Sequence, residues 1–533
     1  MIRKQQSTVS SKKMHKAVFF PAFLGLVVFT SLGIFQTEVV GNFLTYALYG
    51  MSDSIGWFYE LLTLAVTVLT VGLAFTDFGK IRIGGANAKP DFSLWSWATM
   101  AICGGLGTGL LFWAMGEPIY HFTAPPVASG TAPFSREAAI FAVSQDMWIW
   151  SFPQFTLYSI CGLAFALVAY NFKKPLSYKP VIELALGKNK YIGMVSSVIH
   201  GVTIFTMCAA VACSMGVGLL QIGAGIEKLI GIPQSNVIYF GVAVVITAMF
   251  TLSCVSGLGT GLKKLASFTA VIFILIMCYV IFFGPKEFLA KLGTEAFADM
   301  LNNWPQKTLI LNTMAPMDQW FADWPIQYIA SYIVYAPTLG MFLARLSKGR
   351  TVKEFILVNV IARAFFVIIW IGVFGSLEIY FQASGTFDVW GAIQTYGIQS
   401  TIFQILAQFP FGWILITLFL IAIFAAFSTI ADPVAAALAT LATKGIENID
   451  EEAPVALKVI IGIMMGTIAF ILVLSGGVTA VKGMWVIIAL PIAFLMLLMI
   501  TALFRGMNHV SKQASYMAKE TETEETETKE LRI

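Results

Sequence analysis

The chain has 533 residues, of which 58% are hydrophobic and only 12% charged, against roughly 25% charged residues in soluble domains. That balance excludes a soluble globular domain and describes a polytopic membrane protein. The formal net charge of +4 reflects unequal loops and does not indicate a nucleic-acid partner.

In chain order, a basic segment over residues 1–16 precedes the first apolar stretch. Stretches of spanning length then follow at about 17–36, 54–76, 94–116, 141–170, 192–228, 236–256, 263–284, 322–346, 355–380, 403–443, 455–475 and 483–505. The expected architecture is therefore an all-α membrane protein with twelve transmembrane helices over 17–505. No small-residue cleavage site follows the first stretch, so it reads as a retained helix. Residues 285–321 mix Lys286, Glu287, Lys291, Glu295 and Asp299 with apolar positions, the pattern of an amphipathic helix at the interface. After span twelve, residues 506–533 form an acidic tail in which glutamates alternate with threonines, a composition expected to stay disordered.

The basic residues fix orientation, because cytoplasmic loops retain Lys and Arg. Arg3, Lys4, Lys12, Lys13 and Lys16 precede span one, and Lys80, Arg82 and Lys89 follow span two. Lys173, Lys174, Lys179, Lys188 and Lys190 follow span four, Lys263 and Lys264 span six, and Arg345, Lys348, Arg350 and Lys353 span eight. Every cluster falls on one side, which places both termini in the cytoplasm.

Chemistry-bearing residues are sparse. All six cysteines lie in expected spans, the four histidines are scattered, and no phosphate-binding loop or nucleophile–base constellation is present, so neither an enzyme nor a cofactor is expected. The run Gly104-Gly105-Leu106-Gly107-Thr108-Gly109 within the third span is different. Glycine costs about 1 kcal/mol relative to alanine in a helix, and opened backbone in lipid is tolerated where it lines a cavity. The run is thus expected to open as the floor of a substrate site, with close helix packing as the alternative. Ionisable residues within spans, notably Asp146, Arg363 and Asp432, serve either a pathway or helix–helix contacts. Aromatics concentrate in span four (Trp148, Trp150, Phe152, Phe155, Tyr158) and span eight (Tyr328, Tyr332, Tyr335). The last three step by four and three along one helical face. Aromatic faces of this kind attract desolvated organic cations; an ordinary aromatic core is the alternative reading.

Gly107-Thr108-Gly109-Leu110-Leu111-Phe112-Trp113-Ala114-Met115-Gly116-Glu117-Pro118, together with Gly79–Gly84 and Lys89–Ser93, resembles the betaine/choline/carnitine transporter (BCCT) family. Gly340-Met341-Phe342-Leu343-Ala344-Arg345-Leu346-Ser347-Lys348-Gly349-Arg350-Thr351-Val352-Lys353-Glu354-Phe355 is similar to the family's signature after its eighth helix, and weaker matches extend the resemblance over about 17–505. The resemblance implies two inverted five-helix repeats of the sodium/amino-acid symporter (LeuT-like) type, spans 3–7 and 8–12, after two N-terminal helices, with substrate at mid-membrane beside broken helices. It implies an aromatic cage of Trp150, Phe155, Tyr158 and Tyr332 beside Ser331 and Tyr335, while the opened backbone at Gly104, Gly105, Gly107 and Gly109 is expected to accommodate the rest of the substrate. Where the family carries tryptophans, this chain has Ser331-Tyr332-Ile333-Val334-Tyr335, which makes the pocket roomier and more polar.

The family's first sodium site maps to the backbone of Cys103 and Leu106 and to Thr429 and Ile430, or with a one-residue shift to Ser428 and Thr429. Its second maps to Ala209, Cys213 and Thr338. Isoleucine, alanine and cysteine give a hard cation no side-chain oxygen. The resemblance therefore implies a cytoplasmic-membrane secondary transporter of a small quaternary or methylated amine, in contact with membrane lipid, forming a homotrimer and working by sodium-independent substrate/product exchange. The alternative is sodium- or proton-coupled symport of another small solute, a sulfonate or an amino acid.

Overall fold

Backbone amides and carbonyls inside a bilayer have no water to bond, so apolar stretches become helices whose hydrogen bonds are internal. The computed structural model describes residues 13–256, 263–311, 319–444, 446, 451–475 and 477–530. Within these, the side chains of residues 34, 37, 103–108, 111, 255, 256, 263–266, 428–430, 432, 433, 475, 477, 478, 480, 481 and 514–530 lie outside the description.

The described residues open with a short strand, β1 (Lys13–Met14), followed by α1 (Lys16–Phe35), α2 (Ser52–Leu73), α3 (Leu94–Trp113), a short α4 (Glu117–Thr123), α5 (Arg136–Ile149), α6 (Phe152–Ala166) and α7 (Ile192–Ile230). Then come α8 (Asn236–Ser256), α9 (Lys263–Phe283), α10 (Lys286–Asn302), α11 (Gln327–Leu346), α12 (Arg363–Ser384), α13 (Gly412–Leu441), a second strand β2 (Thr443–Lys444), α14 (Val455–Ser475) and α15 (Gly477–Glu530).

Among the described residues nine helices are long and apolar enough to cross a membrane, and ten when the bent pair α9 and α10 is taken as one span. The other two expected spans correspond to α3 and α13, each of which carries side chains outside the description. The bend between α9 and α10 is 115°. Beyond it α10 buries Leu289, Leu292, Ala296 and Met300 and leaves Glu287 and Lys291 in solvent, the amphipathic face expected of residues 285–321.

Burial separates an inner from an outer ring. The apolar windows covering α5–α6 and α11 are 94% buried, whereas those of α1 and α8 are 28% buried, which places the fourth and eighth spans at the centre. There α6 and α11 approach closely: a Cβ on Gly340 would stand 2.8 Å from Cys161 Cβ and from the Gly162 amide nitrogen. The outer helices expose Leu24, Phe35, Phe240 and Val244, an apolar girdle suited to acyl chains.

The two family-like motifs meet at one end of the bundle. Gly349 and Val352 donate their amides to the carbonyls of Ile83 and Ile81, each at 2.9 Å, and Ile83 donates to Arg350. Gly349 has φ +76°, and a Cβ there would collide with the Lys89–Pro90 peptide; only glycine fits both demands. Thr351 and Glu354 cap the next helix reciprocally. Asn171 holds the same loop through the Arg82 carbonyl and the Gly84 amide. At this end too, β1 pairs antiparallel with β2, Lys13 opposite Lys444.

One expectation is corrected. Helix α3 runs unbroken through Gly104–Gly109 and opens only after Trp113, where Pro118 in the first turn of α4 sets a new helix start. The acidic tail is helical to Glu530 as the end of α15. No glycine or proline interrupts the sequence after Gly506, and a helix already nucleated in the membrane extends at little cost.

Candidate functional site

Two interruptions shape the centre of the bundle. At Trp150–Ser151 the helix stops: Ser151 leaves helical geometry at φ −108°, ψ −100°, and α6 restarts with Pro153 in its first turn. Proline has no N–H to donate to Ile149 and disfavours α geometry in the residue before it. The Ser151 hydroxyl turns back to the Met147 carbonyl at 2.5 Å. The second interruption, Ala114–Gly116, separates α3 from α4 and sets Glu117 at a helix start.

Between these breaks lies a cavity with about 60 Å³ open to water-sized groups. Its walls are mostly rings: Trp113 and Trp150, Tyr158 of α6, Tyr328, Tyr332 and Tyr335 of α11, and Trp485 of α15. Gly109, Gln154, Ser214 and Ser331 supply the small and polar surface. Tyr328 and Tyr332 stack with centroids 6.2 Å apart. The Trp150 ring meets them edge-on at 4.8 and 5.9 Å, and Tyr158 meets Tyr332 at 6.4 Å. Gly109 explains how the indole fits, because a Cβ there would stand 3.2 Å from the Trp150 ring. Tyr335 is pinned at 2.8 Å from the Ser214 hydroxyl and donates to the Ala210 carbonyl.

Of the residues singled out by sequence, Trp150, Tyr158, Ser331, Tyr332, Tyr335 and Gly109 converge on this cavity. Ser331 adds little free polarity, since its hydroxyl bonds the Tyr328 carbonyl at 2.7 Å. Phe155 stands apart from this lining, and its ring carries the Arg363 guanidinium at 4.3 Å. The break at Ser151 is the reason, because α6 starts a new register in which Gln154 and Tyr158, four residues apart, share the inward face. The side chains of Gly104, Gly105 and Gly107, and of Cys103, Leu106, Ser428 and Thr429 in the degenerate sodium site, lie outside the described residues. Ala209, Cys213 and Thr338 are buried and offer one hydroxyl between them.

Sequence reading missed a polar network behind the cage. Glu117 Oε2 accepts from the Trp150 indole at 3.0 Å and from the Tyr328 hydroxyl at 2.8 Å. Its Oε1 lies 3.2 Å from His121 Nε2, which also faces Asp146 Oδ1 at 3.4 Å. All three side chains are fully buried. On the far side, Trp320 donates its indole hydrogen to His121 Nδ1 at 3.0 Å. Beside the cavity, Lys482 pairs with Asp323 at 3.1 Å and lies over the Trp324 ring at 4.6 Å. The i, i+4 spacing of Glu117 and His121 was visible in the sequence; the approach of Asp146 was not.

A ring of π-faces with a carboxylate behind it offers the kind of surface that attracts a soft organic cation. Such a contact is worth about 2 kcal/mol or more when desolvated, and the hydrogen bonds of Trp150 and Tyr328 to Glu117 hold their rings in place. The comparison with known families agrees with this chemistry. The BCCT profile, betaine/carnitine/choline family transporter, matches residues 17–512. The chain belongs to this family. A probable glycine betaine transporter of Desulfitobacterium hafniense is 29% identical over 500 residues, covering 93% of this chain and 98% of its own. The glycine betaine transporter OpuD of Bacillus subtilis is 28% identical, covering 89% and 91%. The osmo-dependent choline transporter BetT2 of Acinetobacter baylyi is 25% identical, covering 94% and 72%. As a BCCT member the chain is a multi-pass membrane transporter of betaine/choline-type solutes and not an enzyme.

Proposed function

We propose that this chain carries a small quaternary or methylated amine across the cytoplasmic membrane, with both termini in the cytoplasm, by sodium-independent exchange of one substrate molecule for another. The observation that carries the substrate class is the contact of Glu117 with both Trp150 and Tyr328: a carboxylate behind the cage favours a cationic head and disfavours an anionic sulfonate. Trp150, Tyr158, Tyr328 and Tyr332 enclose the head group, and Gln154 and Ser214 meet the remainder. The orientation rests on the basic loops, whose Lys13, Arg82, Arg350 and Lys444 gather at one end. The exchange mode rests on Ile430, Ala209 and Cys213, which leave the family's sodium positions short of oxygen ligands.

The test is uptake of labelled choline, carnitine and glycine betaine into proteoliposomes holding the full chain. Uptake is expected to persist when sodium is replaced by potassium and to accelerate when unlabelled substrate is loaded inside. Collapse without sodium, with no acceleration by internal substrate, would reject exchange. A gradient drives net transport only through an ion that distinguishes the carrier's states.

A further inference from the structure

The buried triad Glu117, His121 and Asp146 places two carboxylates and an imidazole so that one atom of each lies within 4.8 Å of the others. The indole N–H of Trp320 can only donate, so His121 Nδ1 accepts it and the hydrogen of the neutral ring sits on Nε2. That nitrogen points at both carboxylates. Its lone pair is therefore not free for a metal, and its single hydrogen serves one carboxylate at a time. Glu117 has further donors in Trp150 and Tyr328. Asp146 has no further donor among the described residues: its Oδ1 stands 3.4 Å from His121 Nε2, and the side chain is fully buried.

Neighbouring charges do not repair this. Lys482 of α15 and Glu378 of α12 act electrostatically on Glu117, and Lys307 acts on Asp146. Lys482 is already held by Asp323, and Lys307 by Asp299 at 2.9 Å. Glu378 adds a third buried carboxylate without a hydrogen-bond partner among the described residues. Tyr328 and Tyr332 face the triad as neutral phenols. Two carboxylates this close in an apolar interior share a proton, because both cannot hold full charge together.

We propose that this triad is a proton site antagonistic to the cationic substrate: the Glu117–Asp146 pair around His121 holds one proton when the cage is empty and releases it when a quaternary amine enters. The inference rests on the cage reading above. The link is Glu117, whose charge reaches the cation through Trp150 and Tyr328. Protonation removes that charge and weakens the cage; a bound cation favours the charged form. No covalent bond to substrate forms. The proton passes to water on the side from which the cation came, one positive charge replacing another. An otherwise empty carrier returning with a proton would then exchange protons for substrate.

The experiment uses the full-length protein purified in detergent, titrated with choline and with glycine betaine between about pH 5.5 and 8.5. Intrinsic tryptophan fluorescence reports binding, and a pH indicator in weak buffer reports released protons. Choline binding is expected to release up to about one proton, and its Kd to fall by up to about tenfold per pH unit where the triad titrates. Asp146→Asn is expected to abolish release and flatten the pH dependence, whereas Glu378→Gln retains both. Binding with a pH-independent Kd and no release would overturn the proton site while leaving the cage in place. Release lost in Glu378→Gln but kept in Asp146→Asn would assign the proton elsewhere and also overturn it. If neither compound binds at any pH, the cage reading itself fails. The wild-type release measurement decides the matter even if a variant does not fold.

Discussion

Trp150 donates its indole hydrogen to Glu117 across 3.0 Å while its ring forms one wall of the central cavity. One side chain thus ties the cage to the buried acidic network. Both halves of this relationship depend on broken helices: Trp150 stands where the fourth span stops, and Glu117 where the third span restarts.

Because ring and donor act together, two substitutions at Trp150 are expected to differ. Trp150→Leu removes both and should weaken quaternary amine binding by about 1–2 kcal/mol, roughly tenfold or more. Trp150→Phe keeps a ring and should lose less. Tyr332→Leu should resemble the leucine variant. Isothermal titration of purified protein checks the order, and equal affinities in all three would remove these rings from the site.

Phe155 supports Arg363 and does not line the cavity. Phe155→Leu is therefore expected to lower the unfolding temperature while leaving choline affinity within about twofold, the ordinary spread for a residue outside the contact. A loss as large as that of Trp150→Leu, with stability intact, would return Phe155 to the cage.

Gly109 leaves room for the Trp150 ring, since a Cβ already stands at 3.2 Å. Gly109→Val should push the indole out of place and cost about tenfold or more in affinity, with overpacking of about 1–3 kcal/mol. Normal transport by this variant would show that the ring has another position available. Gly340→Val, at the α6–α11 contact, should be felt in stability, measured as thermal unfolding in detergent.

Lys482 and Asp323 form a pair whose side chains are 9% and 25% exposed. Removing one partner leaves a charge with poor solvation, and Lys482→Met is expected to cost about 3 kcal/mol in stability. The double variant Lys482→Met with Asp323→Asn should recover much of that loss. A thermal-unfolding double-mutant cycle measures it; strictly additive losses would mean that the pair is held by surroundings and not by each other.

The amino-acid sequence by itself determined the membrane class, the helices and the one-sided basic loops, because lipid admits only backbone bonded within its own segment and a run of apolar residues is enough to say so. It also determined that Tyr328, Tyr332 and Tyr335 share a face, since helical spacing is a local property. Other features needed the tertiary structure. The glycine run looked like an opening, yet the break falls at Ala114–Gly116, beside the constraint of Pro118. Phe155 looked inward until the break at Ser151 reset the register of α6. Gln154, Ser214, Trp113 and Trp485 line the cavity together although they lie far apart in the chain. Asp146 reaches Glu117 and His121 only because α4 folds back against α5. Local spacing fixes which residues share one helix face. Which faces meet, and so which charges and rings act on each other, is decided by packing between distant segments.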